Sequence, residues 1–141
     1  MMAREDVAVR VWSADDRALV LDTWTRSYHA HAIVYMGWIG VGTFASLYRT
    51  VLDRCIDGGR NVRVVALVSD PSVVVAWACL DARALHYVWV RDGWRREGLA
   101  RMLLDDRAGS VLGYTHCTPR GRQFVAQFPR WRYQPELLRC D

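Results

Sequence analysis

Apolar and polar residues alternate from Val7 to Trp12 (Val-Ala-Val-Arg-Val-Trp), the period-two pattern of a strand with one buried face. Ser13 follows, with Asp15 and Asp16 in the next turn. A hydroxyl that accepts from free amides, with negative charge at the positive end of the dipole, marks a helix start. The period then becomes helical. Leu19, Val20, Thr23 and Trp24 fall on one side, which predicts a helix to about Tyr28. Residues 29–42 hold His29, His31, Tyr35, Trp38 and the glycines Gly37, Gly40 and Gly42. They read as an aromatic, glycine-containing loop between two helices, of the kind that shapes a pocket. Thr43 is the expected cap of a second helix, with Phe44, Leu47, Tyr48, Val51, Leu52 and Cys55 at helical spacing and Asp57-Gly58-Gly59 as its stop.

Three strands are predicted next, over Asn61–Ser69, Ser72–Leu80 and Ala84–Val90. The turns between them, Asp70-Pro71 and Asp81-Ala82-Arg83, are short, and short turns join antiparallel neighbours. A helix from Gly98 to about Arg107 puts Leu99, Met102 and Leu103 inward, Ala100 and Leu104 on the flanks, and Arg101, Asp105 and Arg107 in water. Ser110–Thr115 reads as a strand. Thr118-Pro119 reads as a cap followed by proline at the first helical position, opening a short helix with Phe124, Val125 and Phe128. Arg130–Leu138 is a last strand, interrupted at Pro135 and therefore expected at a sheet edge.

The chain has 141 residues, the length of one domain that buries roughly two-thirds of its unfolded surface. No apolar run approaches the ~20 residues of a membrane span. Met-Met-Ala-Arg-Glu-Asp at the start has no apolar signal core, so the expected location is the cytoplasm. Cys55, Cys79, Cys117 and Cys140 are widely spaced, without a zinc pattern; Cys55 and Cys79 read as buried thiols and Cys140 as exposed. His29-Ala30-His31 has no carboxylate or thiol nearby in sequence, so no metal site is expected. The net charge of +4 comes from arginine alone, because there is no lysine. That balance is read as genome composition, with the consequence that no lysine side chain is open to self-acetylation.

The densest chemistry lies between Leu85 and Leu104. A Val/Trp strand (Leu-His-Tyr-Val-Trp-Val) leads into Arg-Asp-Gly-Trp-Arg-Arg-Glu-Gly-Leu-Ala and an apolar helix ending Met-Leu-Leu. Unpaired amides and partial positive charge at a helix start suit an anion such as a pyrophosphate. The spacing Arg95-x-x-Gly98-x-Ala100 resembles the acyl-CoA-binding signature of the GNAT superfamily of N-acyltransferases, Arg/Gln-x-x-Gly-x-Gly/Ala. The opening Val-Arg-Val-Trp-Ser-x-Asp-Asp and the element order are similar to that family too, in a compact form that would suit a bacterial or bacteriophage protein. The resemblance implies an α+β (α/β) fold over residues 1–141, a mixed, mostly antiparallel central sheet flanked by helices on both faces. It implies acetyl-CoA as cofactor and a primary amine (small molecule, peptide N-terminus or lysine) as acceptor. Val88, Trp89 and Val90 would present strand backbone to the pantetheine arm, and Arg95, Arg96, Glu97, Gly98, Leu99, Ala100 and Arg101 would form the pyrophosphate loop and helix start.

Members of that family often carry a glutamate on the matching strand, where this chain has Ala84, and a tyrosine on the last helix, where it has Phe128. His86 and Tyr87 are the remaining polar candidates on the strand. Tyr114 is the first candidate acid for the departing thiolate, with His116 and Cys117 nearby. Positioning alone, with water relaying the proton, is the other route to catalysis. Tyr28, Tyr35 and Trp38 are expected to line the acceptor pocket. Arginines and aromatics interleave from Arg120 to Tyr133, a pattern that suits nucleic acid but is read first as solvated cations beside buried rings. The competing readings keep the fold without catalysis, as a binding protein or inhibitor, or direct the transfer to an amine of a modified nucleobase. By analogy, Arg130–Leu138 is a candidate homodimer surface.

Overall fold

A computed structural model describes residues 6–36, 40–95, 97–104, 107 and 109–138, with the side chains of 31–36 left aside. The elements are β1 (Val7–Val11), α1 (Arg17–Met36), α2 (Val41–Ile56), β2 (Val62–Leu67), β3 (Val74–Leu80), β4 (Ala84–Val90), α3 (Leu99–Leu104), β5 (Gly113–Tyr114), α4 (Pro119–Val125) and β6 (Arg132–Tyr133). The six strands form one sheet in sequence order. β1 to β4 pair antiparallel, whereas β4–β5 and β5–β6 pair parallel, because a helical crossover precedes each of the last two strands. No helix among the described residues is long and apolar enough to cross a membrane.

Both faces of the sheet are buried. On β3, Ala76, Ala78 and Leu80 pack with Leu99, Leu103 and Leu104 of α3 and with Phe124 and Val125 of α4. The alternate residues Trp77 and Cys79 pack with Val20 and Trp24 of α1 and Leu52, Cys55 and Ile56 of α2. The whole of β3 is therefore buried, as a strand covered by helices on both sides must be.

Local signals fix several ends. Ser13 and Asp16 form a capping box, with the Ser13 amide donating to Asp16 Oδ2 at 2.7 Å. The same carboxylate takes both arms of Arg10 at 2.7 and 2.8 Å, tying β1 to the start of α1. Burial pushes the Asp16 carboxyl up, but the Arg10 bonds, the Ser13 amide and the Arg10 charge together hold it below its ordinary range. Thr118 caps α4 as expected, accepting from Gly121 N at 3.0 Å with Pro119 at the first turn. The Arg63 guanidinium donates to Leu103 O at 2.9 Å, closing the C-terminal end of α3 from β2.

Four expectations are corrected. Residues 29–36 are not loop: α1 runs to Met36, because no glycine or proline interrupts the chain before Gly37 and Ala30 and Ala32 favour helix. The cap of α2 is Gly40, with extended backbone, and not Thr43, which lies within the helix. The strand expected over Arg130–Leu138 shrinks to Arg132–Tyr133, followed by a 3-10 turn at Pro135–Leu138; it is an edge strand, as the proline required. Ser110–Thr115 likewise contracts to Gly113–Tyr114. The helix expected to run from Gly98 to about Arg107 is described over Leu99–Leu104, with Asp105 and Asp106 outside the described residues.

Candidate active site

The sheet opens at β4. Cys79 pairs with Tyr87 but Leu80 pairs with Leu85, so His86 is one extra residue, a β-bulge. β5 follows β4 only through Ala84–Gly113 and Leu85–Tyr114, with one further bond from Thr115 N to Leu85 O at 3.1 Å. Beyond that point the β5-facing edge of β4 pairs with no strand among the described residues. The gap is a narrow cleft, with Leu85 to Val88 on one wall and Tyr114, His116, Thr118, Phe124 and Val125 on the other. A strand edge without a partner strand, set in a partly apolar cleft, accepts an extended ligand that carries amides of its own.

β4 then runs into the arginine- and glycine-containing turn. Gly93 and Gly98 take φ of 88° and 77°, the left-handed region where a side chain is strained. α3 begins directly after Gly98, whose carbonyl accepts the first bond, from Met102 N at 3.1 Å. Leu99 is buried in the core, so its backbone amide is what it can offer a ligand, and Ala100 is half-buried. Arg95 reaches back to Val90 O at 3.3 Å and sideways to Asp92 at 3.2 Å, with much of its side chain still in solvent. Glu97 is half-buried. Arg101 donates to Gln127 Oε1 at 2.9 Å and lies over the Phe128 ring, linking α3 to the segment after α4. Val88 and Val90 face the α3/α4 core, while Trp89 packs on the other side of the sheet. Arg96 lies outside the described residues.

Five side chains, of which His86 and His116 line this cleft, form one continuous hydrogen-bonded line. Asp81 Oδ2 lies 2.9 Å from His86 Nε2; His86 Nδ1 lies 3.1 Å from Thr115 Oγ1. Thr115 Oγ1 lies 3.0 Å from His116 Nδ1, and His116 Nε2 lies 2.6 Å from the Tyr48 hydroxyl. Burial lowers the pKa of both imidazoles: His86 in spite of Asp81, and His116 to about 3, helped by its neighbour His86 and offset in part by the His86 carbonyl. Both rings are therefore neutral at pH 7, and the direction of every bond follows. The Asp81 carboxylate only accepts, so His86 carries its proton on Nε2 and accepts at Nδ1 from the Thr115 hydroxyl. Thr115 oxygen then accepts from His116 Nδ1–H, and His116 Nε2 accepts from Tyr48. Burial raises the Asp81 carboxyl, but the amides of Arg83 and Ala84 at 2.8 and 2.9 Å, with His86, bring it below its usual range.

The candidates read from sequence separate by geometry. His86 is wholly buried with both nitrogens engaged, so it cannot touch an acceptor amine itself. Tyr87 lies 2.7 Å from Ser27 Oγ, and Ser27 spends its own proton on Thr23 O at 2.7 Å. The Tyr87 proton thus points into α1, and burial raises its pKa to about 12. Tyr114 lines the cleft, half-buried against Tyr133, and its hydroxyl makes no hydrogen bond among the described residues. Tyr28 stacks on Tyr48 and meets His116 edge-on at 4.9 Å, in an aromatic wall with Phe44 and Tyr87. The Tyr35 side chain and Trp38 lie outside what is described. Tyr48, Thr115 and Asp81 were not legible as a group: in sequence they read as a helix-face aromatic, a strand end and a turn acid.

Phe128, expected on the last helix, lies beyond the end of α4 at Val125 and stacks on Trp131 with ring centres 4.2 Å apart. Phe124 joins them edge-on. These rings belong to the core beside α3, while Arg120, Arg122, Arg130 and Arg132 are exposed. Among these rings Trp131 is buried and Phe124 and Phe128 half-buried, whereas Tyr133 on β6 is exposed.

No family model matches this chain, and no curated protein matches it in sequence. Solved structures do match in fold. A GCN5-related N-acetyltransferase from Rhodopseudomonas palustris aligns with TM-score 0.59 at 16% identity, over 90% of this chain and 82% of that one. A histone acetyltransferase HPA2 and related acetyltransferase from Corynebacterium glutamicum aligns with TM-score 0.53 at 14% identity, over 86% and 83%. The apo form of YjaB from Escherichia coli aligns with TM-score 0.51 at 15% identity, over 87% and 79%. The chain has the GNAT fold, a six-stranded, mostly antiparallel sheet with helices on both faces.

Proposed function

We propose that this protein is a single acyl-CoA-binding domain that transfers an acetyl group from acetyl-CoA to a primary amine. The observation that carries the reading is the unpaired β4 edge beyond the His86 bulge, leading directly into the Gly98 turn and the start of α3. The residues fit the cofactor. The free strand edge matches the amides of a pantetheine arm, and successive amides after Gly98 form a nest for phosphate oxygens. Arg95 supplies mobile positive charge beside it. Acetyl-CoA, when bound, supplies the activated thioester. The chain's part is to hold that carbon at the cleft base, to keep Tyr114 free to give a proton to the departing thiolate, and to line the acceptor side with Tyr28 and its ring neighbours.

Calorimetric titration of the purified protein with acetyl-CoA tests the cofactor site. Micromolar binding is expected for the native chain and loss of it for Gly98→Glu, whose side chain would strain the turn and meet the phosphates with negative charge. Absence of binding to the native chain overturns the reading.

A further inference from the structure

The hydrogen-bonded line from Tyr48 to Asp81 has a property that ordinary core polar contacts lack: all four of its protons point the same way. Tyr48 donates to His116, His116 to Thr115, Thr115 to His86, and His86 to Asp81. The line crosses four elements, from α2 through the segment after β5 and the β4 bulge to the β3–β4 turn, and its interior members are buried. At one end Tyr48 belongs to the Tyr28–Phe44–His116 aromatic wall, and its oxygen keeps a lone pair. At the other end Asp81 is 23% exposed and reaches water. Such a line conducts a proton in one direction, from the Tyr48 oxygen outward.

We infer that this line is the proton exit for the acceptor, and that the acceptor is an aliphatic amine arriving as its ammonium ion. The inference rests on the acyltransferase reading. An ammonium nitrogen has no lone pair and must lose one proton before it attacks. That proton passes to the Tyr48 oxygen as the Tyr48 proton moves to His116 Nε2. The His116 Nδ1 proton moves to Thr115, the Thr115 proton to His86 Nδ1, and the His86 Nε2 proton to Asp81, which releases it to water. The neutral amine then forms the N–C bond to the thioester carbon as the C–S bond breaks; the thiolate takes its proton from Tyr114, and the second proton, shed by the new amide nitrogen, restores the Tyr114 phenol. Tyr48 touches the substrate and is the catalytic residue. His116, Thr115, His86 and Asp81 act through it and are positioning residues. The arrangement supplies from one helix, one strand, the segment after β5 and a turn what the missing strand glutamate would supply from one residue. The titratable groups that bear on Tyr48 from outside the line are the phenols of Tyr28 and Tyr133 and the Cys55 thiol.

Two measurements test this. The first compares an alkylamine, protonated at pH 7, with an arylamine, neutral at pH 7, as acetyl acceptors for the native chain, Tyr48→Phe and Thr115→Val. Both variants are expected to lose about 100-fold or more in kcat/KM on the alkylamine and little on the arylamine. Acetyl-CoA affinity should be retained, and the alkylamine deficit should shrink as pH is raised toward 10 and free amine accumulates. Equal losses on both acceptors, or no loss on the alkylamine, overturn the relay while leaving the acyltransferase reading in place. A native chain that binds acetyl-CoA but acetylates neither amine overturns both. The second is a nitrogen-15 spectrum of the histidine rings of the native protein. The expected tautomers are Nε2–H at His86 and Nδ1–H at His116; any other pair breaks the direction and overturns the relay whatever the activity.

Discussion

Tyr48 and His116 meet at 2.6 Å across 68 residues of sequence, and the contact joins α2 to the segment that follows β5. It fixes the tautomer of His116, which lines the cleft. It also places a neutral imidazole, a phenol and a hydroxyl in series where the sheet is open. Most of what the site can do chemically depends on this junction.

Stability should have a plateau between about pH 6.5 and 10, the ordinary values for histidine and tyrosine. His116 titrates near pH 3 when folded and His86 is also lowered, so below about 6.5 the unfolded chain binds more protons and stability falls with falling pH. Tyr87 titrates near 12 when folded, so above about 10 the folded chain holds more protons and stability falls with rising pH. The lowered carboxyls, Asp16 and Asp81, contribute only below about 4. Melting temperature against pH should therefore slope between 6.5 and 4, and His116→Gln should flatten that slope.

Two buried tryptophans should respond differently to the same change. Trp77 donates to Thr23 Oγ1 at 2.9 Å, whereas the Trp24 N–H is buried without a partner among the described residues. Both rings are fully buried, so the area lost on replacement by phenylalanine is similar. Trp77→Phe should be the more destabilising, by about 1 kcal/mol, the net worth of one hydrogen bond. Urea unfolding of the two variants measures the difference.

Gly113 is held by contact, not by φ. A Cβ there would run into the Arg132 carbonyl on β6. Gly113→Ala should cost about 1–3 kcal/mol by overpacking and loosen the edge strand, which trypsin would report as faster cleavage at Arg132. Gly42, exposed in the first turn of α2 with open space around it, is the contrast: Gly42→Ala should stabilise by about 0.5 kcal/mol.

Tyr114→Phe separates proton donation from binding. Its ring packs on Tyr133 and lines the cleft, contacts that phenylalanine keeps. We expect kcat to fall about 100-fold with acetyl-CoA affinity unchanged, read by calorimetry and steady-state kinetics. An unchanged kcat would remove Tyr114 from the role of acid.

Local chemistry was readable residue by residue. The Ser13–Asp16 box, the Thr118-Pro119 cap, the Gly98 turn and the three antiparallel strands are short-range patterns, and each appears where its residues put it. In the stretch 29–36 histidine and aromatic content suggests a loop, but no helix breaker stands there and α1 continues to Met36. The last strands misled in length, since apolar residues such as Trp131 and Val111 serve the core from irregular backbone.

The stretch proposed to hold the cofactor is continuous, from β4 through Gly98 to α3, so its residues stand out in the sequence by their spacing and the resemblance that spacing carries. The proposed relay joins Tyr48, Asp81, His86, Thr115 and His116, brought together by sheet pairing and by the packing of α2 on β3. Hydrogen-bond partners, the burial that keeps two histidines neutral, and the bulge that turns His86 toward Thr115 are all non-local. A periodic pattern records which face of an element is covered; it carries no record of which residue covers it, and that choice is made only when the sheet closes.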